Sequence, residues 1–326
     1  MSMRNVKRVS FFCPTQPTGG PEAIHQASHA LNRQGIRSDI IYVGGDAHID
    51  IGDGRLTYRP PSHNPALEVY RTYEPKVFRG GAMSRQHLFV LPEVYAGDVT
   101  SLRGASVAIW WLSVDNAMVT TDEPTLRALF ANHKVKHYYQ SAYARDYLER
   151  SGVPTSMPLS DYTTPTFTEL TTSGPNAETA IAFNPVKGAD LSHVFFAAHP
   201  EFSCMPIRDM TKDEIVTALR RTMVYVDFGH LPGKDRLPRE AAVSGAVVFV
   251  RRLGAGRFAE DFAMPDFFRF DETDVHSGEL ARRILAVHQD PAHFWTQQEA
   301  LRQQVRGEQA ELDDQLLALR GRRRAA

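Results

Sequence analysis

Two apolar runs, Val224-Tyr-Val-Asp-Phe228 and Ala246-Val-Val-Phe-Val250, bracket a loop and a short helical stretch, and this arrangement constrains the chain more than any other. The loop is Gly229-His-Leu-Pro-Gly-Lys-Asp-Arg236, and a short helix is expected to open at Leu237-Pro238. Strand, Gly/Pro-rich loop, helix and strand make half of a parallel α/β unit. Such loops lie at the C-terminal edge of a sheet, where the helix they open presents free N–H groups and a partial positive charge. Anions bind in such places. Lys234 and Arg236 add charge, and Glu240 stands one turn into the helix, so the segment suits a nucleotide diphosphate with a ribose hydroxyl pair beside it.

Length and charge set the outer bounds. At 326 residues the chain can hold two domains with separate cores, and 42% hydrophobic with 23% charged residues is ordinary for a globular protein. A net charge of −1 argues against nucleic acid as a partner. Cys13 and Cys204 sit in apolar strand-like runs and are expected as buried thiols of a reducing compartment. The N-terminus enters a strand directly and lacks a signal-peptide core, and no run approaches the roughly 20 apolar residues that span a bilayer. A cytoplasmic location is the expectation.

Along the chain, a strand at Val6–Cys13, a turn at Gly19-Gly20, a helix from Pro21 to Gln34 stopping at Gly35, and a strand at Asp39–Val43 form a βαβ unit. Its Gly19-Gly20 turn is a second candidate anion cradle, the alternative being glycines that only shape a tight turn. Residues 44–81 read as loops and short strands. Buried strands are expected at Leu88–Leu91, Val107–Leu112 and Val135–Gln140, and a helix at Ser141–Ser151. Trp110-Trp111 and then Asp115 follow one another at a strand end, where chemistry sits in open α/β sheets; core packing and a helix cap are their structural alternatives. Residues 154–174 have a linker's composition. Beyond them come a strand at Ala180–Phe183, the loop Asn184-Pro-Val-Lys187-Gly188, a helix near Leu191–Ala198, a strand at Phe202–Ile207 that ends at Pro206 and Ile207, and a helix at Thr211–Thr222. The stretch Ala292–Leu319 is helical by propensity, with Trp295, Leu301, Val305, Leu312, Leu316 and Leu319 spaced to pack or to form a coiled-coil homodimer. The basic end Arg320-Gly-Arg-Arg-Arg324 offers a peripheral contact to anionic lipid at the inner face of the membrane, a solvated end being the preferred reading.

Four features in this order resemble the GT-B glycosyltransferases of the large retaining family 4 type. They are Gly19-Gly20 after the first strand, the linker, Lys187-Gly188 after the first strand of the second half, and Glu240-Ala-Ala-Val-Ser-Gly245 before Ala246-Val-Val. The resemblance implies two Rossmann-like domains facing each other across a cleft, with a long C-terminal helix. It divides the chain into an acceptor-side domain (1–160), a linker (161–178), a nucleotide-sugar-binding domain (179–290) and a C-terminal helix with basic tail (291–326). It also implies sugar transfer from a nucleotide-sugar donor to a carbohydrate or glycolipid acceptor, without metal or other cofactor, in bacterial surface polysaccharide or glycoconjugate synthesis. Lys187 would contact the donor diphosphate, Glu240 the ribose hydroxyls, and the backbone around Arg236 and Leu237 the phosphates, while Gly19-Gly20 would approach the donor from the other domain.

The chain departs from that pattern in three places. Pro232 stands where the first glutamate of the Glu-x7-Glu pattern would hold donor-sugar hydroxyls, a role open to Asp235 or His230. The arginine that usually stands shortly before the Lys-Gly pair is missing from Phe183-Asn-Pro-Val-Lys-Gly188, a charge that Arg236 is open to replace. The Ser113-Val-Asp115-Asn116 segment occupies the place of a catalytic histidine. The remaining donor-site candidates are Gly188, Pro206, Ile207, Gly233 and Lys234. Asp115 is the candidate base or sugar-orienting acid, and His25 is expected to face the cleft. His25 and His29, four apart, have metal-binding spacing but no adjacent glutamate and no third ligand. A nucleotide-sugar epimerase and a noncatalytic GT-B subunit of an assembly complex are the rival readings.

Overall fold

Side chains alternate along the first strand, β1 (Arg8–Pro14), so that Val9, Phe11 and Cys13 fill one core and Phe12 another. Burial on both faces is what a parallel strand covered by helices requires. The computed structural model describes residues 6–319 except positions 103 and 154, so the basic run Arg320–Arg324 lies outside the described residues. Among the described residues, eight further strands follow in the first part of the chain: β2 (Arg37–Val43), β3 (His48–Gly52), β4 (Arg55–Arg59), β5 (Gly81–Ala82), β6 (His87–Pro92), β7 (Ser106–Trp111), β8 (Lys136–Tyr139) and β9 (Ser156–Pro158). Six of the nine form a parallel sheet in the order β2-β1-β6-β7-β8-β9, and β3-β4-β5 form a small antiparallel sheet.

Alternation along β7 also explains the paired tryptophans. Trp110 joins the core of β1's Val9 and Phe11, while Trp111 joins the opposite one. Each indole N–H is satisfied inside, Trp110 Nε1 by the Leu159 carbonyl at 2.7 Å and Trp111 Nε1 by His137 Nδ1 at 3.1 Å. Both are core residues. The helix expected from Pro21 begins at Gly19 and runs to Arg33, with Pro21 in its first turn, where a missing N–H costs nothing. Two helices not anticipated from the sequence, Val114–Thr120 and Glu123–Ala131, fill the stretch after β7. Asp122 caps the second by accepting from Thr125 N at 2.8 Å.

Five strands of the later part, β10 (Glu178–Phe183), β11 (Cys204–Pro206), β12 (Thr222–Asp227), β13 (Val247–Arg251) and β14 (Arg269–Phe270), form a second parallel sheet in the order β11-β10-β12-β13-β14. Cys204 departs from expectation: it is exposed, because β11 is a short edge strand, whereas Cys13 is buried. The chain divides into two units, one extending to Tyr162 and resuming at Gln309, the other Thr163–Glu308. Among the described residues no helix is long and apolar enough to cross a membrane.

The C-terminal stretch is two helices, Pro291–Gln297 and Glu299–Leu319, separated at Gln298. There the Gln298 side-chain amide bonds both the N–H and the carbonyl of Val248 in β13, at 2.9 and 2.7 Å. Leu301, Val305, Leu312 and Leu316 are all buried within the single chain, and the last two belong to the first unit's core. These four positions of the stripe read as a coiled-coil seam are therefore packed within the chain. Leu312→Ala should lower the unfolding free energy by about 2–5 kcal/mol in a urea titration; a loss under about 0.5 kcal/mol, the scale of a surface change, would contradict the core placement.

Candidate functional site

Within the second unit, strand register lines up Phe183, Pro206, Val226 and Phe249 on neighbouring strands, so the loops after β10, β12 and β13 emerge together at one edge. Their backbones touch. Gly188 has φ +70°, and a Cβ there would lie 2.3 Å from the Phe228 carbonyl oxygen, so only glycine lets the Lys187 loop close onto the β12 loop. Gly254 does the same for the β13 loop: its φ is +56°, a Cβ would come within 1.9 Å of Leu231 O, and Ala255 N donates to that carbonyl at 2.8 Å.

Lys187 Nζ donates to Asp235 Oδ1 at 2.5 Å, joining the β10 loop to the residue that precedes the Arg236–Val243 helix. The structure thus brings Lys187, Gly188, His230, Gly233, Lys234, Asp235, Arg236, Leu237 and Glu240 onto one edge and its opening helix. Pro206 and Ile207 stand at the end of the adjacent strand, Ile207 N donating to Phe183 O at 2.9 Å. Glu240 is buried one turn into the helix. Lys234 is buried, with Nζ 3.3 Å from Glu308 Oε1, beside Arg239, whose Nη1 donates to Glu308 Oε2 at 2.8 Å. Arg239 also donates to the carbonyls of Lys234 (2.7 Å) and Asp235 (3.1 Å), fixing the loop's path into the helix.

Three of these groups were not singled out from sequence. Asp227 ends the otherwise apolar β12, and that acid after Met223-Val-Tyr-Val226 was a signal available to reading. Its carboxylate accepts from Tyr225 Oη and Gly229 N, both at 3.0 Å. Arg239 and Glu308 are ordinary helix charges in sequence, and only the fold pairs them.

First-unit candidates separate into two groups. Asp115 is half-buried in the first turn of the Val114–Thr120 helix and accepts from Tyr143 Oη at 3.1 Å. Nearby, Glu93, also missed, accepts from Leu112 N at 2.9 Å, and burial pushes its carboxyl up to about 7. Gly19 and Gly20 are the first residues of the Gly19–Arg33 helix, and neither has positive φ. His25 does not open onto a cleft. It has no exposure, its Nδ1 is 2.6 Å from Pro21 O and its Nε2 2.9 Å from Tyr42 Oη, and burial pulls it down to about 4. A neutral ring so placed is structural. His29 Nδ1 is likewise committed to Tyr73 O at 2.8 Å, and no cluster of three potential ligands occurs among the described residues.

Burial, and then the nearby Asp235, raise the Asp227 carboxyl from its ordinary 3.8 to about 6. The folded protein keeps that proton across a range where the unfolded chain has lost it. This contribution to stability is complete below about pH 4 and is lost as pH rises through about 6. Asp227→Asn should therefore gain about 3 kcal/mol relative to the unsubstituted protein between about pH 4 and pH 7. Paired urea titrations at the two pH values check this, and a constant difference would contradict it.

No protein-family model and no curated protein sequence matches the chain. Solved structures do. A sucrose-phosphate synthase from Thermosynechococcus elongatus is similar with a TM-score of 0.63 at 14% identity, over 96% of this chain and 98% of that one. Anabaena HepE, solved with UDP-glucose, gives 0.63 at 12% identity, over 95% and 98%. A TarM variant of S. aureus, solved with fondaparinux, alpha-GlcNAc-glycerol and UDP, gives 0.62 at 8% identity, over 97% and 100%. The chain has the GT-B fold of these glycosyltransferases.

Proposed function

We propose that the protein transfers a hexosyl or deoxyhexosyl group from a nucleotide-sugar donor to a carbohydrate or glycolipid acceptor, without metal, in the assembly of bacterial surface polysaccharide or glycoconjugate. The observation that carries the reading is the edge of the second sheet, where Gly188 lets the Lys187 loop close beside the N-terminus of the Arg236–Val243 helix. A sugar–nucleotide bond breaks as charge accumulates on the departing diphosphate. Lys187 and the helix N-terminus supply fixed positive potential where that charge develops. Glu240 is assigned to the ribose hydroxyls and the Pro206–Ile207 strand end to the base. Asp115, oriented by Tyr143 Oη, is assigned to the acceptor hydroxyl as base or orienting acid.

A thermal-shift and calorimetric screen against UDP, GDP, CDP, ADP and dTDP and their sugar conjugates, with and without magnesium, tests the donor assignment. One base should bind without metal, and Lys187→Ala should weaken it about 10- to 150-fold through loss of a charge-assisted contact. Unchanged affinity in Lys187→Ala would remove the lysine from the site. Binding without transfer or donor hydrolysis would favour the noncatalytic subunit reading, which Pro232 at the first-glutamate position supports.

A further inference from the structure

Asp235 holds the N-cap position of the Arg236–Val243 helix, where an aspartate ordinarily accepts a hydrogen bond from the first turn. It makes no such bond. Oδ1 instead accepts from Lys187 Nζ at 2.5 Å, across 48 residues of chain, and Oδ2 is enclosed without a hydrogen bond. The backbone is held independently: Asp235 N donates to Gly233 O at 2.9 Å and Arg239 Nε donates to Asp235 O at 3.1 Å. The carboxylate is therefore free to leave Lys187 while the loop keeps its path. It has what a phosphoryl group presents to a lysine, two terminal oxygens and negative charge, and it lies at the mouth of the helix to which the diphosphate has been assigned.

Resting on the donor-site reading, we propose that Asp235 is an affinity-determining residue of that site: its carboxylate occupies the diphosphate's place on Lys187, and the donor binds by displacing this internal anion. The exchange replaces one anion with another, so the ligand gains only the difference. Every ligand whose phosphate reaches Lys187 bears the same cost of displacing the carboxylate, and a ligand that does not reach it bears none.

Asp235→Asn keeps the size of the side chain and removes its charge. Released from competition in a part-exposed ion pair, the preferred nucleoside diphosphate should bind about three- to tenfold tighter by calorimetry. The corresponding nucleoside, with no phosphate to place on Lys187, should bind with unchanged affinity. In a Lys187→Ala background the same substitution should lose most of that effect, because no lysine remains to be released. Circular dichroism and melting temperature confirm that each variant folds. Unchanged diphosphate binding in Asp235→Asn overturns the proposal by showing that the carboxylate does not compete, and weaker binding overturns it by making Asp235 a ligand-holding group. An equal gain in both backgrounds overturns it as well, leaving only general charge repulsion. Should neither the unsubstituted protein nor Asp235→Asn bind any of the five nucleoside diphosphates, the donor-site reading itself fails, and the proposal with it.

Discussion

The carboxylate of Glu308 has no contact with water, and the entry into the second unit's key helix is built around it. It accepts from Arg239 Nη1, from Thr163 N at 2.9 Å and Thr163 Oγ1 at 3.0 Å, and it faces Lys234 Nζ. Dehydrating charges costs several kcal/mol per ion, so such a cluster holds only when its geometry is well satisfied. Arg239 transmits that requirement to the loop by bonding the carbonyls of Lys234 and Asp235. A lysine that looks like a phosphate ligand in the sequence is thereby paired inside the second unit.

Much of the fold could be read in advance because it rests on local patterns. Apolar runs at Phe11, Val90, Ile109, Ala182, Val226 and Val248 all became buried parallel strands, since a strand covered on both faces must be continuously apolar. Glycine at position 188 carried a signal for the same reason: only a residue without Cβ permits that close approach. The Val114–Thr120 and Glu123–Ala131 helices were missed because they are short and part of their apolar surface, Met118 and Val119, faces solvent, which blurs the periodicity.

The candidate site was legible in part. Lys187, Asp235 and the helix carrying Glu240 were marked by their place in a strand–loop–helix pattern. Whether a given charge faces a ligand or an internal partner depends on residues far along the chain, as Lys234 with Glu308 and His25 with Tyr42 illustrate. No spacing rule contains that information. Asp227 and Glu93 show the same limit from the other side. Each is an acid at the end of an apolar strand, and what distinguishes them, burial against backbone donors, arises only on folding.

The division of the Glu299–Leu319 helix between the two units bears on the order in which the protein can be completed. Every residue of the second unit, Thr163–Glu308, precedes Leu312 and Leu316, which close the core of the first. Domains ordinarily finish folding in the order of their synthesis. Here the second unit can be finished while the first, begun on the ribosome much earlier, still waits for the last turns of a helix. During that interval the sheet carrying Phe11, Val90 and Trp110 keeps an uncovered apolar patch. Apolar surface left open in this way is prone to association with other chains until the helix arrives.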